Sequence, residues 1–186
     1  MKRNVSIVLL LIVISFQMGA QSSQDVIRLT QLEQVVFDRI NVYRVSMGCK
    51  AIKWSDDAYK AAYMQSFYLS NPDTDISHFE EKDLPDFDEI NSPCDRIGSV
   101  LNSPGVVSVE NIITIQASDR QMQKRIENGK AVDGVMRTAD AIVGGWRNSH
   151  DHNKNLLDKR VNYGAVAIVR EKNGMYCRPV MVFFRK

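Results

Sequence analysis

Cysteine and histidine are scarce in this chain, with three of each in 186 residues. Cys49, Cys94 and Cys177 can close one intramolecular disulfide at most and leave a thiol over. Their spacing does not choose the pair, and three buried free thiols are the other reading. A chain this long buries a real core without help from cross-links or metal. Gly-rich phosphate loops, zinc-finger spacing and an H-E-x-x-H motif are all absent, as are internal repeats and low-complexity segments. No apolar run reaches the roughly 20 residues that span a bilayer. The longest, Val5–Phe16, ends at Gln17.

That run follows Lys2 and Arg3 and leads to Gly19 and Ala20, the layout of a secretory signal peptide. The reading is a signal peptide over 1–20, cut after Ala20, and one domain over 21–186; an uncleaved anchor is the alternative. No cysteine follows closely enough for a lipoprotein. Removing 1–20 takes away two bases and no acid, so the formal charge of +2 falls to zero. Nothing in that balance points to a nucleic-acid partner. The expected location is periplasmic or secreted, with no stable membrane span after cleavage.

What is present is periodic. Ile27, Leu32, Val35, Val36, Ile40 and Tyr43 recur at helical spacing over 25–46, and Gly48 fits a stop. Ser55 as N-cap, with Asp56 and Asp57 in the first turn, predicts a helix over 56–69 ending before Asn71-Pro72. Residues 71–105, rich in Asp, Ser, Pro and Asn, read as a long loop with short helical turns. "VVSVENIITI" (106–115) reads as a strand, and 117–133 as a solvated polar insertion. A further helix over 135–149 puts Ala139, Ile142, Val143 and Trp146 on one side. "YGAVAIVRE", "KNG" and "MYCRPVMVFFR" read as a closing hairpin, in which Pro179 argues for a bulge or edge position. Helices on both sides of a small, mainly antiparallel sheet would bury these faces, an α+β arrangement.

Four pieces stand in a telling order: "INVYRVSMGCKAIKWSDDAYKAAYMQS" (40–66), "SHF…CDRI" (77–97), "ENI" (110–112) and "TADAIVGGWRNSHDHNKNLL" (138–157), followed by "YGAVAI". Together they resemble the bacterial branch of the CAP superfamily, the SCP-like group of cysteine-rich secretory and pathogenesis-related proteins. The resemblance covers about 32–184. Asn41 and Arg44 match its Asn-x-x-Arg, Trp54 the Trp before the second helix, and Arg96 the Asp-Arg pair. Asn111 falls in the Glu-Asn-Ile step, Trp146 in the Trp-x-x-Ser, and Asn155 in the final Asn-hydrophobic-Leu.

The resemblance implies a three-layer α-β-α sandwich whose central cleft holds two histidines and one or two acids. His78 matches the first histidine, Glu110 the acid and His152 the second histidine. His150 falls where the bacterial pattern has proline, which makes it a loop residue. Ser149 takes the position of a second cleft glutamate found in many eukaryotic members. The His-Asp in place of Pro-Gly also leaves the loop geometry open.

Chemically, His78, Glu110 and His152 suit three roles. They are a known ligand set for Zn²⁺ with an open position, a proton-transfer site, or a polar cluster that orders the cleft. No nucleophile sits in a convincing motif, since Ser77 and Ser149 are merely adjacent to histidines. Trp54 and Trp146 read as core anchors, and Arg44 and Arg96 as forks on loop backbone or carboxylates. Asn41 and Asn111 read as ties to backbone. The leading expectation is a non-enzymatic binding protein for a small apolar, lipid-like or envelope ligand. A hydrolase of peptide or envelope substrates, with or without Zn²⁺, and an envelope adhesion module are the alternatives.

Overall fold

A computed structural model describes residues 30–71, 73–79, 92–116, 131–171 and 176–185. The segment 1–20 read as a signal peptide, most of the segment 117–133 read as an insertion, and the "KNG" read as a turn lie outside these residues. Helix α1 runs over 30–46, followed by β1 (Lys53–Trp54) and α2 (Asp56–Tyr68). Next come α3 (Pro93–Leu101), β2 (Ser108–Ile112) and β3 (Ile115–Gln116). The chain then forms α4 (Ala131–Asn148), α5 (His150–Leu156), β4 (Tyr163–Arg170) and β5 (Tyr176–Phe184).

The strands form one sheet in the order β1-β4-β5-β2, with β3 also on β5. Only β1 and β4 are parallel. Period-2 alternation in the two long strands separates the layers. Val166, Ile168, Met181 and Phe183 face a core with α1, α4 and α5, where Val36, Ile40, Ile142 and Trp146 are buried. Ala165, Ala167, Val180, Val182 and Phe184 face the opposite core, against Ala58, Ala61 and Ala62 of α2 and Ile97 of α3. The result is the three-layer α-β-α sandwich with a mainly antiparallel sheet. Trp54 packs on both cores, with Phe37 edge-on at 5.1 Å and Tyr59 at 5.7 Å.

Several local expectations change. Residues 71–105 are not simply a loop, because α3 occupies nine of them. Ser92 and Asp95 form a reciprocal capping box around Pro93 at the first helical position, and Asn102 ends the helix in the left-handed region. Helix α4 begins at Ala131, inside the segment read as an insertion. The 106–115 strand is two, β2 and β3, broken at Ile113 and Thr114.

Pro179 accounts for that break. It lies in β5, an interior strand, and not at an edge. Ile113 N–H donates to the Pro179 carbonyl, and the return bond is missing because proline has no N–H. The lost ladder bond coincides with the gap between β2 and β3. Cys49, Cys94 and Cys177 are all free thiols, with Cys94 exposed.

Candidate functional site

Strand β2 is the spine of the site, and alternation sends its neighbouring polar residues to opposite layers. Glu110 faces α3. Its carboxylate oxygens lie 2.9 and 2.8 Å from Arg96 Nη2, with both side chains fully buried. Asn111 faces α5, where its amide donates to the His152 carbonyl at 3.0 Å. Asn155 of α5 donates to the Glu110 carbonyl and to Asn111 Oδ1. That bond satisfies an outward-facing carbonyl on the outer edge of β2. The Glu-Asn step thus joins two helical layers at one sheet edge.

His78 approaches from the segment after α2. Its Nδ1 lies 3.0 Å from Glu110 Oε1, which makes Nδ1 the donor to the carboxylate and turns Nε2 away from Glu110. Two buried side chains hold the segment in place. Arg96 Nη2 donates to the His78 carbonyl, and Gln65 of α2 donates to the Ser77 carbonyl at 2.6 Å. Gln65 escaped the sequence reading, although a glutamine between apolar neighbours in "AAYMQSF" is a visible oddity. Ile76 and Phe79, on either side of this pair, are exposed at 56 and 61 %.

His152 is half-buried on α5. Burial lowers its pKa below the usual 6.5, the nearby His78 charge lowers it further, and Asp151 opposes both. His150 is not a loop residue. It is the first residue of α5, and its exposed ring contacts Asp151. Residues two apart on a helix face different ways, which separates His150 from His152. Ser149 is the N-cap of α5, but its side chain makes no capping bond. Ser77 Oγ accepts from Phe79 N–H. Neither serine is bonded to an imidazole among the described residues.

The remaining matched residues hold backbone. Asn41 exchanges two hydrogen bonds with the Ile52 peptide, as a strand neighbour would. Arg44, fully buried, donates to the carbonyls of Lys50, Leu156 and Asp158. It joins the end of α1 to the end of α5, and burial lowers its pKa. Trp146 is buried in the core, while the Trp54 indole bonds Asp56. Among the described residues, no three His, Cys, Asp or Glu side chains are grouped to hold a metal ion.

Such a sandwich, with its polar residues meeting at one sheet edge, defines the class. Residues 37–184 match the model of the cysteine-rich secretory protein family, CAP, and the chain belongs to that family. Among solved structures it is similar to an outer surface protein of Borrelia burgdorferi, with a TM-score of 0.59 and 14% identity over 84% of this chain and 93% of that one. An extracellular protein containing a SCP domain from Bacillus anthracis gives 0.54 and 19% identity over 85% of this chain. A cysteine-rich secretory protein of Staphylococcus aureus gives 0.52 and 12% over 85%. The chain spans only 41% and 40% of those last two proteins. No curated protein matches the sequence.

Proposed function

We propose that this is an exported, non-enzymatic binding protein whose cleft takes an amphipathic ligand of lipid or cell-envelope origin. Export rests on the N-terminal pattern of Lys2, Arg3 and the run Val5–Phe16, and the extracellular and outer-surface proteins of like fold are consistent with it. One observation carries the ligand class. Ile76 and Phe79 expose apolar side chains on both sides of His78, whose Nε2 is turned away from Glu110. A ligand with an apolar body and a hydrogen-bonding head would satisfy both. Glu110 is committed to Arg96 and His78, so it orients the imidazole and is not left over as a general base.

The test is titration of the purified mature chain with a fluorescent fatty acid. Binding that His78→Ala and Phe79→Ser each weaken, at unchanged Tm, supports the reading. Turnover of peptide or ester substrates that depends on His152 would replace it with the hydrolase reading.

A second reading has its own support. A metal-ligating histidine ordinarily gives its other ring N–H to a carboxylate, and His78 already does so to Glu110. Zn²⁺ would then be held by His78 and His152, with Glu110 behind His78 and not among the ligands. Its chemistry would be that of a Lewis acid. Zn²⁺ uptake that either His→Ala variant abolishes supports it; no uptake by folded wild type overturns it.

A further inference from the structure

Away from the histidines, at the opposite end of the sheet, the loop after α1 and the loop before β4 enclose a cavity of about 510 Å³. Its lining includes Arg44, Lys50, Lys53, Lys159 and Arg160, and no carboxylate side chain. A chain with a formal net charge of only +2 has placed five cations around one hollow. Two of them are already used. Arg160 pairs with Asp158 at 2.6 Å, and Arg44 is bonded to three carbonyls. Lys50, Lys53 and Lys159 form no ion pair among the described residues. Three cations with no ion-pair partner among the described residues and a shared hollow are arranged for a counter-charge from outside.

The local backbone would by itself oppose that use. Helices α1 and α5 both end here, and carbonyls at helix C-termini repel anions. Arg44 answers this, because its guanidinium takes the carbonyls of Lys50, Leu156 and Asp158. The wall also includes the half-buried Tyr163 ring. Cavities of this volume suit ligands larger than one small ion.

We propose that this cavity is a second binding site, separate from the histidine cleft, for a ligand carrying more than one phosphate charge. Lys50, Lys53 and Lys159 supply the counter-charges, and Arg44 keeps the floor from repelling the ligand. The group could reach the site as a soluble phosphate compound or as the headgroup of an anionic lipid, and the recognising chemistry is the same.

The experiment uses the mature chain with pyrophosphate as probe, followed by calorimetry and amide chemical shifts. Pyrophosphate is expected to bind, to weaken as salt rises, and to shift the amides of Gly48, Ala51 and Asn162. The triple variant Lys50→Gln/Lys53→Gln/Lys159→Gln should lose affinity by about tenfold or more, with its Tm unchanged. Lys60→Gln, a charge-matched control on the exposed face of α2 and outside the cavity lining, should bind as wild type does. Sedimentation with phosphatidylcholine vesicles, with and without phosphatidylglycerol, separates the sources. Lysine-dependent binding to the anionic vesicles identifies a headgroup site. Pyrophosphate binding without vesicle binding identifies a soluble ligand. If neither probe binds wild type, or both bind the triple variant equally well, the proposal is overturned.

Discussion

Arg96 Nη2 bonds both carboxylate oxygens of Glu110, at 2.9 and 2.8 Å, and also the His78 carbonyl at 3.1 Å. One nitrogen thus fixes the acid and the backbone of the histidine that the acid orients. A single truncation would leave a charge buried without its partner, which costs roughly 3–5 kcal/mol. Arg96→Met and Glu110→Gln should each lower stability strongly, and the double variant should lose less than their sum. A cycle of urea-unfolding free energies measures the coupling. Additive losses would mean that the pair does not hold the site together.

His152 should titrate below 6.5 in a ¹H–¹⁵N NMR pH series, because burial and the His78 charge both resist its proton. The unfolded chain takes up that proton first, so this histidine makes stability fall as pH drops from 6.5 toward its lowered pKa. His78→Ala removes the repulsion, and the His152 titration should then move up toward 6.5. An unmoved curve would show that the two rings do not share a cleft.

Glu33 gives the opposite slope. It is buried on α1, accepts from Ile168 N–H at 2.8 Å on the outer edge of β4, and faces the Tyr59 hydroxyl. Burial raises its pKa from 4.5 to about 7, more than these hydrogen bonds lower it. The Tyr59 hydroxyl is itself pushed up to about 12 by burial and by Glu33. Between pH 4.5 and 7 the folded chain keeps a proton that the unfolded chain has released, so stability falls as pH rises through that window. Glu33→Gln keeps an acceptor for Ile168 and removes the titration. It should gain up to about 3 kcal/mol over wild type at pH 8 and little at pH 4. Unfolding curves at the two pH values check this, and parallel curves would count against it.

The layers were legible because burial leaves a period. Val36 and Ile40, and then Ala139, Ile142 and Trp146, announce helices with one buried stripe, and "YGAVAIVR" announces a strand buried on both faces. Helix α3 carries both the Ser92-Pro93-x-Asp95 cap and a short apolar stripe of Ile97, Val100 and Leu101, but at nine residues these signals were masked by the Asp-, Ser- and Pro-rich composition around them. The site was legible only as an order of short motifs. His78 meets Glu110 across 32 residues, and Glu33 meets Ile168 across 135. No local pattern encodes such distances. Gln65 and Glu33 are polar residues on buried helix faces, which is the form in which such contacts show in a sequence before folding supplies the partner.

Two glycines should respond differently to alanine. A Cβ on Gly164 would sit 2.9 Å from the Val182 carbonyl oxygen and 3.1 Å from Ile52 Cδ1. The oxygen belongs to β5 backbone in the middle of the sheet and cannot retreat without disturbing the ladder. Gly164→Ala should therefore cost about 1–3 kcal/mol. On Gly145 of α4 the same Cβ would come within 2.4 Å of Ile113 Cδ1, the far end of a side chain that can turn. Alanine also gains up to about 1 kcal/mol of helix propensity there. Gly145→Ala should thus lie well above Gly164→Ala in Tm. If the order is reversed, Ile113 is held rigidly at the break between β2 and β3, and α4 packs against that break too tightly to yield.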